Sequence, residues 1–177
     1  VFRNLNTRRV TAFIDGMTVD VKQRPPAAAN SAIWLPVSNL TLEDSWVPDT
    51  NELKIGDSLV RTITMVADGL DGAVLPPFGT NALDGANTYP DPAEIDRTFV
   101  SGAIVGTRVE SMTIVPTVDG DLEIPEIAIP WWNVETGQQQ VTSIPAMTLS
   151  VGAIAEEAPA EQAISSSGNL EDLLAMP

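Results

Sequence analysis

The feature that most constrains this chain is the alternation of apolar and polar residues between Asp121 and Val151. Ile127, Ile129 and Trp131 fall on one parity of this stretch, which is the two-residue period of a half-buried β-strand. A polar connection containing a glycine follows, and the alternation then resumes. The stretch therefore predicts two strands joined by a tight turn.

Three prolines and an adjacent pair of tryptophans qualify this prediction. Pro125, Pro130 and Pro145 cannot donate a hydrogen bond to a β-ladder, so we expect them at strand starts, bulges or edges. The side chains of Trp131 and Trp132 must point to opposite faces of a strand. We expect one of them to fill the core and the other to lie near solvent.

Similar alternating runs recur along the chain and are separated by turn residues. The clearest run is Ser58 to Ala67, and Phe99 to Val115 returns to the same pattern. The chain is 44% apolar, enough for a core, while its 14 prolines and 12 glycines disfavour long helices. We predict an all-β fold: an immunoglobulin-like antiparallel β-sandwich with extra N-terminal strands and a flexible acidic C-terminal tail.

The chain divides into four segments. Residues 1–26 hold an Asp-Gly step between two apolar alternations, which favours a hairpin, and we interpret them as the closing strands of an incomplete preceding β-domain. The alternative is that they pair with the main sheet and complete it. Residues 27–31 are a predicted linker, residues 32–151 the β-sandwich, and residues 152–177 an acidic, low-complexity tail. Within the sandwich, Thr80 to Asp96 is predicted to be a long surface loop.

Charge limits the classes of partner. The formal net charge is −15, and five of the nine basic residues lie in residues 1–26. Most of the surface would repel a polyanion, so we do not expect a nucleic-acid partner. No run of 18 apolar residues is present, although the chain could be a segment of a longer, anchored protein.

The residue types exclude several kinds of chemistry. Without histidine or cysteine, the chain offers no imidazole base, thiol nucleophile or zinc site of these ligands. The Asp-Gly pairs near residues 68–72 lack the terminal glutamate of a helix–loop–helix calcium site, so we interpret them as turns. We predict no catalytic residue, metal or cofactor. One alternative stays open: a carboxylate pair for glycoside hydrolysis, since 24 acidic residues allow many pairs.

Arg61 departs from the alternation of its strand. It shares a face with the core-like side chains of Leu59, Ile63 and Met65. Its guanidinium either snorkels outward at a sheet edge or pairs with a carboxylate. We favour a structural role, and we name Arg61, Trp131 and Trp132 as candidate positions that orient domains or contact a partner.

A series of short motifs between residues 32 and 151 points to a known family. In chain order they are Trp34-Leu35-Pro36, Leu40-Thr41-Leu42, Trp46, Gly56-Asp57, Arg61-Thr62-Ile63-Thr64, Gly69-Leu70, Leu75-Pro76, Thr117 to Gly120, Ile124-Pro125, Ile127, Ile129, Pro130-Trp131-Trp132-Asn133, Thr136-Gly137, Ile144-Pro145 and Val151. Their order and spacing resemble the BatD family of bacterial oxygen-tolerance proteins.

This resemblance implies an export signal, tandem immunoglobulin-like β-domains on the periplasmic side of the inner membrane, and a transmembrane anchor. Proteins of the family are encoded beside MoxR-type ATPases and von Willebrand factor A-domain proteins. They are thought to act with them in oxygen and envelope stress tolerance. The resemblance supplies no catalytic residues.

We therefore predict a non-enzymatic, periplasmic protein-interaction domain of a membrane-anchored protein. Its expected partners are other envelope proteins, among them von Willebrand factor A-domain proteins of the same operon. The expected working surface is a sheet edge or the Thr80 to Asp96 loop. The alternative is a carbohydrate- or cell-wall-binding module that stacks sugar rings on exposed tryptophans. The candidates for that role are Trp34, Trp46, Trp131 and Trp132.

Overall fold

The computed structural model describes residues 9–26, 33–48, 53–79 and 82–153. The described residues form strands, a short 3-10 turn at Gly72–Val74, and no α-helix. The strands are β1 (Pro36–Val37), β2 (Asn39–Val47), β3 (Leu53–Lys54), β4 (Leu59–Asp68), β5 (Ala86–Pro90), β6 (Glu94–Val100), β7 (Ala103–Pro116), β8 (Gly120–Ile124), β9 (Ile127–Asn133), β10 (Gln138–Ile144) and β11 (Met147–Gly152). Apart from the short parallel pairs β1–β9 and β3–β11, they build antiparallel sheets that pack as a β-sandwich, so the predicted fold class is confirmed.

The larger sheet is centred on β4 and β7. β4 lies between β2 and β7, while β5 and β6 lie end to end on the far side of β7. Along β4, alternate residues are buried, as the period-two pattern of Ser58 to Ala67 predicts. β6 and β7 are joined by Ser101 and Gly102, whose φ angles of 51° and 83° suit a two-residue hairpin turn.

The segment predicted as a long loop instead contains β5 and the start of β6. Pro90 pairs with Met112 and Glu94 pairs with Val109, so the register on β7 shifts by one residue between the two strands. This shift is a β-bulge, with the extra residue near Pro92. The loop prediction is wrong over much of its length. Pro90 and Pro92 are typical of loops, but a bulge on an edge strand also tolerates proline.

The opposite layer contains one long antiparallel ribbon that is interrupted at its middle. Ile124 pairs with Met147 and Ile127 pairs with Ile144, so β8–β11 and β9–β10 keep one register across the gap. Pro125 and Pro145 lie in the gap, where their missing N–H groups do not break a ladder. Within β9, Pro130 lies beyond the reach of β1, which pairs only with the last two residues of the strand. The three prolines therefore occupy the positions predicted for them.

Two apolar clusters fill the space between the layers. The first joins β1 and β9 to β2 and β4, and its buried members are Leu35, Val37, Leu40, Met65, Ala67, Leu75, Ile129 and Trp131. The second joins β8 and β11 to β4 and β7, and its buried members are Leu53, Leu59, Ile114, Leu122, Ile124, Leu149 and Val151. On β4, Arg61 lies between Leu59 of the second cluster and Met65 of the first.

Residues 9–26 contain no strand, so the N-terminal hairpin predicted around Asp15 and Gly16 is not formed there. Phe13 and Ile14 are 92% and 96% exposed. An isolated two-stranded hairpin is marginal in water, and no described strand pairs with this segment. The alternative of pairing with the main sheet is not found in these residues. Their assignment to a preceding domain stays a prediction. The predicted linker at 27–31 lies outside the described residues, and of the predicted tail at 152–177 only residues 152 and 153 are described, of which Gly152 ends β11.

Candidate interaction surfaces

The guanidinium of Arg61 is held inside the sandwich by a carboxylate of the neighbouring strand. Arg61 is 4% exposed, and its Nε and Nη2 donate to Oδ1 and Oδ2 of Asp44 at 2.9 and 3.0 Å. Trp46 adds an indole N–H donated to Asp44 Oδ2 at 3.2 Å, and its ring lies 5.0 Å from the Arg61 guanidinium carbon. Arg61 therefore pairs within the chain, and at 4% exposure it offers no surface to a partner.

A second ion pair fixes the chain that follows β4 onto β7. Arg108 Nε donates to Glu110 Oε1 at 2.6 Å, and Arg108 Nη1 donates to the Leu75 carbonyl at 3.4 Å. The Phe78 N–H donates to Glu110 Oε2 at 3.3 Å. Arg108 and Glu110 thus hold residues 75–78 against the sheet. Asp44 and Glu110 are both partly buried, and each is neutralised by an arginine.

The two adjacent tryptophans have separate surroundings, as the sequence predicts. Trp131 is 6% exposed in the core, and its indole N–H donates to Thr142 Oγ1 at 2.9 Å. The Thr142 hydroxyl in turn donates to the Leu40 carbonyl at 3.1 Å, which ties β10 to β2. Trp131 is therefore a structural residue of the core.

Trp132 lies on the other face of β9 and is half-buried. Its ring centroid is 6.0 Å from that of Trp34, and the ring planes are tilted by 37°. The guanidinium carbon of Arg24 lies 4.7 Å from the centre of the Trp34 ring. An aromatic pair capped by a cation thus connects the segment before residue 27 to the face of the β9 sheet.

The edge formed by β6 is the most exposed strand surface of the described chain. All seven residues of β6 are exposed, and β7 is its one partner strand among the described residues. Ile95, Phe99 and Val100 are 49%, 68% and 56% exposed, giving β6 more exposed large apolar side chains than any other described edge strand. Glu94 and Asp96 add negative charge to the same strand.

Arg97 of β6 is engaged by the segment before the 3-10 turn. Its Nη1 donates to Asp71 Oδ2 at 2.9 Å, and Asp71 Oδ1 accepts the Ala73 N–H at 3.0 Å. The Ala73 hydrogen bond, followed by the charge of Arg97, holds the pKa of Asp71 below its ordinary 3.8 against the opposing effect of desolvation. The positive charge of β6 is therefore matched locally, while Glu94 and Asp96 form no ion pair within the described residues.

Sequence reasoning named Arg61, Trp131 and Trp132 but missed their partners and missed β6. Asp44 and Trp46 share a parity on β2, but the β2–β4 register that brings them to Arg61 is not visible in the sequence. For β6, the alternation of Ile95, Arg97 and Phe99 was the available signal.

Within the described residues, no group of three or more acidic side chains is placed to hold a metal ion. None of these residues forms a helix with the length and apolarity needed to cross a bilayer. Comparison of the chain with family models, with curated proteins and with solved structures finds no match.

Proposed function

We propose that this chain is a non-catalytic protein-interaction domain whose open edge strand, β6, is held by another protein. The observation that carries the proposal is the combination of exposed Ile95, Phe99 and Val100 with a strand edge that no other described strand pairs with. Natural sheets protect such edges because they pair readily with other chains. Exposed apolar side chains that line an edge are typical of surfaces that a partner covers.

The surroundings of the interior acids support a non-catalytic role. A carboxyl that acts as a general acid usually has its pKa raised by an apolar or like-charged environment. Asp44 and Glu110 instead each lie within 3 Å of an arginine nitrogen of the same chain, at 2.9 Å from Arg61 and 2.6 Å from Arg108. Their geometry is that of structural ion pairs.

The biological setting rests on the motif resemblance. The motifs from Trp34 to Val151 are similar to those of the BatD family, and we therefore propose a periplasmic portion of a membrane-anchored protein at the inner membrane. Its role would be in oxygen and envelope stress tolerance. The proposed partners are other envelope proteins, including von Willebrand factor A-domain proteins encoded beside it.

The test is site-specific photocrosslinking of the membrane-anchored protein in intact cells, with mass spectrometry of the products. A photoreactive residue replaces Phe99 on β6, and the matched control carries it at Glu135, an exposed residue in the turn between β9 and β10. We expect a defined envelope protein to be crosslinked from position 99 and not from position 135. Failure to crosslink any protein from either position would refute the proposed function.

The second candidate, a carbohydrate-binding module, draws on the paired rings of Trp34 and Trp132. Sugar stacking needs an accessible, flat aromatic face. The 37° tilt between the rings and the position of Arg24 over Trp34 reduce that area, which is why this function ranks second. It predicts a shift of tryptophan fluorescence on addition of peptidoglycan fragments, and this shift would disappear in Trp132→Ala.

A further inference from the structure

We infer that β6 accepts an extended strand whose side chains alternate between apolar and basic, so that the partner continues the larger sheet. This inference rests on the proposed function and specifies how the partner is held. The ends of the accepting edge are set by the fold. The bulge near Pro92 ends it on one side and the Ser101-Gly102 turn on the other, leaving the seven residues of β6.

Backbone geometry makes strand addition the natural mode of contact. β6 pairs with β7 from Glu94 to Val100 in one unbroken register. In such a ladder about half of the N–H and C=O groups of β6 point away from β7. Those groups meet no described strand, so an added strand would hydrogen-bond to them.

One face of β6 is complementary to apolar residues in the partner strand. Ile95, Arg97 and Phe99 lie on this face, and Arg97 is turned to Asp71. Ile95 and Phe99 therefore flank the neutralised pair and remain exposed at 49% and 68%. In an added strand, every second side chain would lie beside these two groups. Apolar or aromatic cross-strand neighbours at those positions are stabilising.

The other face of β6 is complementary to positively charged residues in the partner strand. Glu94 and Asp96 lie at the end of this face next to the bulge, which follows Asp91, and Thr98 and the exposed Val100 complete the face toward the Ser101-Gly102 turn. The chain as a whole carries a formal net charge of −15, so a cationic strand is attracted at long range as well as in the pair. The residues of the partner strand that lie opposite Glu94 and Asp96 are therefore lysine or arginine.

Charge also argues against a second copy of this chain as the occupant. A symmetric antiparallel pair of β6 strands centred on Arg97 places that residue opposite itself, and centring on Asp96 does the same for a carboxylate. Like charges directly opposite one another destabilise a strand pair. Two chains of net charge −15 also repel each other before contact.

The test measures binding of labelled nine-residue peptides to the whole chain by fluorescence anisotropy. The probe alternates valine and lysine, and the control peptide alternates valine and glutamate. Two further probes are N-methylated at every second residue, in one register or the other. We expect saturable binding of the valine–lysine peptide and none of the valine–glutamate peptide. One N-methylated register should lose binding and the other should keep it, because only one set of N–H groups faces β6.

Matched charge reversals locate the binding site. Asp96→Lys on β6 should weaken binding of the valine–lysine peptide by about fivefold or more, because an opposite-charge pair becomes a like-charge pair. Glu135→Lys makes the same change of net charge in the β9–β10 turn and should weaken binding far less. Equal weakening by both variants would show general electrostatic attraction only and would overturn the inference.

The outcomes separate this inference from the proposed function. If position 99 crosslinks an envelope protein but no register of N-methylation affects the peptide, the partner contacts β6 through side chains, and strand addition is refuted. If the peptide binds as expected but nothing is crosslinked in cells, the edge is competent and the proposed function fails.

Discussion

Removing either member of the Arg61–Asp44 pair should destabilise the fold far more than replacing both. Arg61 is 4% exposed, and its two hydrogen bonds to Asp44 measure 2.9 and 3.0 Å. Deleting one partner of a buried pair leaves the other charge without compensation, which typically costs 3–5 kcal/mol. Asp44→Asn keeps the shape of the side chain and removes its charge. Because the Asp44 side chain retains 14% exposure, we expect a loss of about 3 kcal/mol in the free energy of unfolding.

Substitutions of Arg61 distinguish the effect of losing its charge from the effect of losing its volume. Arg61→Met keeps an unbranched stem between Leu59 and Ile63 while it removes the guanidinium, so Asp44 alone loses its counter-ion. We expect a loss of about 2–3 kcal/mol, since the partly exposed carboxylate can still reach water. Arg61→Ala should cost about 2 kcal/mol more, because it also leaves a cavity beside those two buried residues.

The double variant Arg61→Met/Asp44→Leu supplies the decisive comparison. An apolar pair of similar volume should restore stability to within about 1 kcal/mol of the wild type. The double-mutant cycle formed with Arg61→Met and Asp44→Leu should then show a coupling energy of at least about 2 kcal/mol.

Urea unfolding of the whole chain measures these effects, with tryptophan fluorescence and far-ultraviolet circular dichroism as independent probes. Coincident transitions and an unchanged m-value would establish that each variant unfolds as the wild type does. If Asp44→Asn and Arg61→Met each cost less than about 1 kcal/mol, the pair behaves as an exposed salt bridge and the reasoning from burial is refuted.

Two further predictions concern Asp71 and Gly72, which lie in the segment between β4 and β5. A Cβ at Gly106 would meet the backbone of Gly72, so Gly106→Ala should lower the free energy of unfolding by at least about 2 kcal/mol in the same urea titration. Gly16 has open space around it, so the control Gly16→Ala should leave the free energy of unfolding unchanged. Because the folded-state pKa of Asp71 lies below its ordinary 3.8, its contribution to stability is complete above that pH and is lost as pH falls through the folded value. A carboxyl titration by NMR should therefore give a midpoint below 3.8 that rises in Arg97→Gln, and an unchanged midpoint in that variant would show that the ion pair has no effect.

The fold class follows from the sequence because burial imposes its period on every strand that is covered on one face. Residues 59–68 illustrate this, since every second residue is buried and Arg61 is the one charged side chain at a buried position of the strand. The prolines of the ribbon also obey a local rule, since a residue without an N–H can lie only where the ladder does not need one. Such features depend on near neighbours in the chain and are readable from it.

The same local logic fails where a distant segment decides the outcome. Asp15 and Gly16 carry a strong hairpin signal, yet residues 9–26 form no strand, because no described strand covers the apolar side chains. For β6 the error is the opposite one, because the sequence predicts a loop where the structure has a strand. Its pairing with β7 is specified by a hairpin turn at Ser101 and Gly102, while the prolines before it give the stretch the composition of a loop.

The sequence does not identify the partner of Arg61 for a related reason. A side chain on the inner face of β4 can be placed by parity, but its carboxylate lies 17 residues away on β2, and the register of two strands decides which acid it meets. Sequence alone therefore predicts that a buried arginine must be paired. It does not identify Asp44.

These pairings also determine which charges are left for recognition. Between residues 33 and 153 the basic residues are Lys54, Arg61, Arg97 and Arg108, and the three arginines each engage an acid of the same chain. All three acids are partly buried, and Asp44 and Glu110 are the least exposed of them, so most of the positive charge of the sandwich lies beside carboxylates with limited access to water. The acids on the outer face of β6 are exposed beside a backbone edge to which no strand of the described ranges is added. A strand that brings lysine or arginine to that edge supplies the charge that the sandwich lacks.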